Sequence, residues 1–78
     1  MKIEILGVGC AKCHKLEEMV RDVVAKENIK ADIFKVEDFK KIMNYGVMTT
    51  PALVVDGKVK AAGKLPSPEE IKKMLVHN

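Results

Sequence analysis

The chain is poor in aromatic residues. It has no tryptophan, one tyrosine (Tyr45) and two phenylalanines (Phe34 and Phe39). Its core must therefore be built from aliphatic residues and from its five methionines. No apolar run approaches the roughly 20 residues that a membrane-spanning helix requires, so no membrane association is expected. The opening residues, Met1-Lys2-Ile3-Glu4-Ile5-Leu6, alternate charged and apolar, and Glu4 interrupts any signal-peptide core; a cytoplasmic location is the expectation. Repeats, linkers and low-complexity segments are missing too. The net charge is +3, but the lysines are spread along the chain. The pairs Lys40-Lys41 and Lys72-Lys73 fall on helix-like segments, and no aromatic-rich basic stripe accompanies them, which argues against nucleic-acid binding. Two cysteines are too few for a disulfide-stapled scaffold, and a bridge across so short a loop would remove little denatured-state entropy.

What is present is the composition of an ordinary globular domain, 47% hydrophobic and 32% charged over 78 residues. One small domain, residues 1–78, is expected. Residues 2–6 read as a strand, ended by Gly7 and Gly9. A helix is predicted from near Cys10 to about Lys26, with Cys13, Leu16, Met19, Val20, Val23 and Val24 at helical spacing. Residues 30–36 read as a second strand, parallel to the first across a right-handed crossover. A short helix over residues 38–44 should bury Phe39, Ile42 and Met43, with Gly46 closing it. Residues 52–55 and 58–62 read as a hairpin about Asp56-Gly57. Ser67-Pro68-Glu69-Glu70 is a capping box opening a last helix that runs to about Val76, with Ile71, Met74 and Leu75 on its apolar side. The order β-α-β-α-β-β-α describes an α/β fold, a four-stranded mixed sheet with three helices packed on it.

The chemistry is concentrated in Gly9-Cys10-Ala11-Lys12-Cys13-His14. Residues three apart on a helix are surface neighbours, near enough for a disulfide to close. At the helix mouth, unpaired N–H groups and the macrodipole favour negative charge, and Lys12 and Lys15 add positive potential. These influences should lower the pKa of Cys10 below the ordinary thiol value of ~8.5 and so raise its thiolate fraction at neutral pH. Cys13, on the apolar stripe, should stay protonated for longer. Cys10 is thus the candidate nucleophile and Cys13 the candidate resolving thiol.

A strand, a glycine-containing turn, Cys-x-x-Cys at a helix start and a distant Thr50-Pro51 opening a strand together resemble the thioredoxin superfamily. The nearest likeness is to the short prokaryotic thioredoxin-like proteins called redox-active disulfide proteins, which lack the extra N-terminal strand and helix of full-length thioredoxins. The resemblance spans essentially the whole chain and implies a thioredoxin-like fold. It implies a thiol–disulfide oxidoreductase, a protein disulfide reductase using Cys10-Ala11-Lys12-Cys13, with no cofactor beyond the reversible Cys10–Cys13 disulfide. It implies disulfide-containing client proteins and a flavin-dependent, thioredoxin-reductase-like electron donor; a monomer is expected. It also places Thr50 and Pro51 beside the disulfide, with Pro51 cis and the adjoining backbone open to pairing with a client strand. Lys12 is the third supporting residue. Gly9 stands where thioredoxins carry tryptophan and Ala11-Lys12 where they carry Gly-Pro, a difference that bears on redox potential. Glutaredoxins hold glutathione partly with a Gly-Gly pair; Ala62-Gly63 stands here, so glutathione use is not supported. By offset from the cysteines Glu4 falls where thioredoxins bury a carboxylate, and it is a candidate proton relay to Cys13. The strand alternation favours a different reading, in which Glu4 is an exposed residue paired with a lysine.

Cys-x-x-Cys after a strand and a glycine-containing loop also fits a soft-metal module binding Cu(I) or zinc, since two thiolates suit Cu(I). Structural zinc would need four ligands, and beyond the two cysteines the chain offers only His14 and a distant His77. Heavy-metal-associated domains end on a strand, whereas this chain ends on a capped helix and carries a Thr50-Pro51 with no role in metal binding. Redox chemistry is therefore the favoured reading. Cys13-His14 also completes a c-type haem attachment pattern, but the element order is unlike a haem bundle. His14 points about 100° from Cys13 on a helix and reads as a surface residue.

Overall fold

The computed structural model describes residues 1–9 and 11–76; Cys10 and His77 lie outside them. The described residues form β1 (Lys2–Leu6), α1 (Ala11–Lys26), β2 (Asp32–Val36), α2 (Phe39–Asn44), β3 (Ala52–Val55), β4 (Lys58–Ala62) and α3 (Pro68–Val76). The strands make one mixed sheet in the order β2-β1-β3-β4. β1 and β2 are parallel, joined through α1, while β3 runs antiparallel to both β1 and β4. This is the architecture of a thioredoxin-like α/β fold. β2 is shorter than the 30–36 expected because its pairing with β1 begins only at Lys2↔Asp32.

Side chains alternate across a strand, so the sheet has two inner surfaces. Ile3 and Ile5 of β1, with Leu53 and Val55 of β3, pack against Leu16, Val20 and Val23 of α1 and Ile71 and Leu75 of α3. Met19, Val24, Ile33 and Met74 border this larger cluster. On the opposite face Leu6, Ala52 and Val54 pack against Ile42 of α2 and Val47. One face thus carries two helices and the other a single short one. Helix α2 covers only part of its face, which corrects the expected burial of Phe39 and Met43. Only Ile42 is directed onto the sheet; Phe39 and Met43 share the outward side of the helix and are 68% and 61% exposed.

Local signals account for the boundaries. Asp38 caps α2 by accepting from the Lys40 N–H at 2.9 Å, and Gly46 follows the helix at φ +75°. The β3–β4 turn holds Asp56 at φ 48° and Gly57 at φ 83°, the paired left-handed conformations of a tight hairpin turn. Asp56 is also tied to the far strand, since the Lys2 N–H donates to Asp56 Oδ1 at 2.8 Å. At α3 the capping box is formed in both directions: Glu70 N–H donates to Ser67 Oγ at 3.2 Å, and Ser67 N–H donates to Glu70 Oε1 at 2.9 Å.

The capping box has a pH signature. Bonding from Ser67 holds the Glu70 carboxyl below its ordinary value. A carboxyl depressed in the folded state contributes stability that is present above its unfolded pKa and is lost as pH falls through the folded one. Ser67→Ala is expected to cost about 1 kcal/mol in thermal or urea unfolding at neutral pH. Glu70→Gln should flatten the acid limb of the stability profile below about pH 4.5. An unchanged acid limb in that variant would exclude the linkage.

Candidate functional site

The site lies where β1 ends, α1 begins and the segment before β3 comes alongside. Cys13 is in the first turn of α1 and is buried, at 7% exposure, because it continues the apolar stripe of Leu16, Val20 and Val23. Lys12, His14 and Lys15 are exposed beside it. No acidic residue occupies the first turn of α1, so the potential there is set by the helix terminus and the lysines. Cys10, the preceding residue in sequence, lies outside the described residues.

The Thr50–Pro51 peptide bond is cis, as the resemblance implied. Thr49 and Thr50 are exposed while Pro51 is buried. The Gly63 N–H donates to the Pro51 carbonyl at 2.9 Å, which ties this segment to the end of β4. Gly7 is where the two halves of the site meet. A β-carbon at Gly7 would overlap the Cys13 sulfur, and would lie 3.2 Å from Cys13 Cβ and 3.9 Å from Thr50 Cβ. Residues far apart in sequence, Cys13 and Thr50, are thus neighbours across one glycine. Nothing in the composition marks Gly7 for this role; in the sequence it reads only as a strand terminator. Beside the site, Phe39, Met43, Gly46, Val47 and Met48 line a shallow depression of about 460 Å³. Met48 is almost wholly exposed.

Glu4 is not the exposed, lysine-paired residue that the alternation favoured. It is 8% exposed and accepts a 2.5 Å hydrogen bond from the Tyr45 hydroxyl. The cause is that β1 is an interior strand covered on both faces. Its alternation of charged and apolar residues therefore marks two different neighbours, not core and solvent. Glu4 follows the parity of Leu6 and faces the α2 side, whereas α1 with Cys13 covers the other. Two depressions of about 350 and 340 Å³ reach it, shared with Lys2 and Lys41, and Phe34 lines the larger one. Sequence reasoning missed Tyr45, which is the residue that closes α2. Its hydrogen bond to Glu4, burial and the nearby negative charge raise its pKa above 10.0.

With one tyrosine and no tryptophan, this bond can be read by ultraviolet titration of the phenol. The wild type should ionise above pH 10 and Glu4→Gln nearer to it. A phenol whose folded pKa is raised contributes stability that is present below its unfolded pKa and is lost as pH rises through the folded one. Tyr45→Phe should cost about 1–3 kcal/mol by leaving a buried carboxylate oxygen without its donor. It should also remove the stability loss above pH 10. A wild-type phenol titrating at its ordinary value would show that the bond does not persist in solution.

Among the described residues no group of three or more His, Cys, Asp or Glu could hold a metal ion. Among the described residues, too, no helix is long and apolar enough to cross a membrane. Residues 1–76 match the family model described as a thioredoxin domain. The thioredoxin of Methanothermobacter thermautotrophicus is 43% identical over 75 residues, covering 96% of this chain and 97% of its own length. The thioredoxin of Methanocaldococcus jannaschii is 41% identical over 73 residues, covering 94% and 84% respectively. These matches give the metal reading no support. The chain belongs to the thioredoxin superfamily and is a thioredoxin-like disulfide oxidoreductase.

Proposed function

We propose that the chain acts as one domain, a protein disulfide reductase working through Cys10 and Cys13. The observation that carries this reading is the burial of Cys13 in the first turn of α1, with Thr50 beside it across Gly7 and Pro51 next in the chain. A resolving thiol needs that shielding, and a client chain needs exposed backbone next to it.

The cycle balances as two thiol–disulfide exchanges. The Cys10 thiolate attacks one sulfur of a client disulfide, forming a Cys10–client disulfide and releasing one client thiolate, which takes up a proton. Cys13 then loses its proton and attacks the Cys10 sulfur. The Cys10–Cys13 disulfide forms, and the second client sulfur leaves as a thiolate and is protonated. The client gains two electrons and the protein loses two. A flavin-dependent, thioredoxin-reductase-like donor returns them, and no cofactor is needed beyond the cysteine pair. The start of α1 and the exposed Lys12 stabilise the Cys10 thiolate. Thr50 and the backbone beside Pro51 align the client strand. The expected setting is the cytoplasm and the expected form a monomer.

Glu4 is the proposed proton relay for Cys13; because Tyr45 holds it on the α2 side of the sheet while Cys13 lies on the α1 side, the proton would pass through water and not by direct contact. The test of the whole reading is insulin or model-disulfide reduction by the reduced protein with dithiothreitol as donor. Turnover supports it. Tight Cu(I) binding by the reduced protein with no disulfide exchange would replace it with the metal reading.

A further inference from the structure

Gly7 is not among the glycines in the left-handed region, so its lack of a side chain is not required by backbone conformation. Space requires it. The Cys13 sulfur occupies the volume that a Gly7 methyl would fill, and Cys13 Cβ is itself only 3.2 Å from that position. The sulfur is disulfide-bonded and cannot rotate away with that bond intact, and the contact with Cβ would remain in any case, so the first turn of α1 would have to move. Gly7 cannot easily give way, because its N–H donates to the Val36 carbonyl at 3.0 Å and holds the end of β1 to β2. Thr50 Cβ, at 3.9 Å, is at ordinary contact distance and would not be pushed. A side chain at position 7 would therefore act on Cys13 and spare Thr50.

We propose that Gly7 is a positioning residue for the resolving step: the missing side chain is the seat of the Cys13 sulfur and sets its depth and line of attack on the Cys10–client disulfide. This inference rests on the proposed redox function. It separates the two chemical steps, because the first attack uses Cys10 and the cis-proline segment, whereas only the second uses the seated sulfur. A displacement of about 1 Å in a reacting group slows a step by up to about 100-fold. Gly7→Ala should thus slow resolution by about 10- to 100-fold and leave the first attack nearly unchanged.

Single-turnover mixing of reduced protein with a disulfide peptide, acid quenching and mass spectrometry read the two steps separately. In Gly7→Ala the peptide adduct on Cys10 should accumulate and decay slowly, while iodoacetamide modifies Cys10 at the wild-type rate. Wild-type decay of the adduct in the variant, or equal slowing of both steps, overturns the proposal. If Cys13→Ser forms no adduct at all, the redox reading itself has failed, which is a distinct result. Should Gly7→Ala fold poorly, melting under reducing conditions provides the second test. The methyl of Gly7→Ala should be tolerated in a Cys13→Ala background, where the sulfur's volume is vacant. Strictly additive losses in that double variant would also overturn the proposal.

Discussion

Cys10→Ser is expected to bring insulin reduction down to the background rate of dithiothreitol alone, while Cys13→Ser should trap up to one equivalent of client as a stable mixed disulfide. The two outcomes differ because the proposed cycle gives the two sulfurs different tasks. A serine hydroxyl at position 10 is not ionised at neutral pH and cannot form a sulfur–sulfur bond, so the first exchange never starts. A serine at position 13 leaves the first exchange intact and removes only the group that would release the client. The environments support that division. Cys13 is 7% exposed on the apolar stripe of α1, while Lys12 and Lys15 stand exposed at the helix start. The alkylation rate of Cys10 against pH should accordingly have its midpoint below the ordinary thiol value of ~8.5. Residual turnover in Cys10→Ser, or trapping by Cys10→Ser instead of Cys13→Ser, would reverse the roles.

Leu53→Ala should be the most damaging of the simple core substitutions, lowering stability by about 3–5 kcal/mol in urea unfolding. Leu53 lies on interior strand β3, opposite Ile5 and Ala61, and is fully buried in the cluster that joins α1 and α3 to the sheet. Neighbours on both flanking strands limit how far the site can collapse around the lost methyl groups. A chain of this length has a total stability of about 4–12 kcal/mol, so the variant would approach unfolding at ambient temperature. The melting temperature should fall by roughly 12–40 °C, taking about 4–8 °C per kcal/mol for a domain of this size. A loss under about 1.5 kcal/mol, as for a volume-conserving swap, would mean that the packing around Leu53 is looser than the structure describes.

Much of the fold is legible in the sequence because its signals are local. Hydrophobic spacing over Cys13, Leu16, Val20 and Val23 marks the buried side of α1, and these residues are the buried ones. Asp56-Gly57 marks the hairpin because few residue pairs enter the left-handed region together. Ser67 to Glu70 marks the start of α3 because the cap is made within four residues. Where the reading failed, a distant partner decided the outcome. Met43 and Phe39 look like core, but a six-residue helix on a broad face can bury only one line of side chains. Glu4 looks like a surface residue because alternation alone cannot tell a strand covered on one face from a strand covered on both.

The sequence by itself therefore determined the family, the element order and the two cysteines on which the proposed exchange rests. Cys-x-x-Cys, Thr50-Pro51 and the capped last helix are short-range patterns with short-range physical causes. The site that opens at Gly9-Cys10-Ala11-Lys12-Cys13-His14 is completed only by the tertiary structure. Sheet order put β1 in the interior, which turned Glu4 inward to Tyr45 and brought Gly7 against the Cys13 sulfur with Thr50 beside it. The Glu4–Tyr45 and Gly7–Thr50 contacts join residues about 40 positions apart, and no local preference encodes them. They arise because a mixed sheet with helices on both faces leaves its central strand no solvent side.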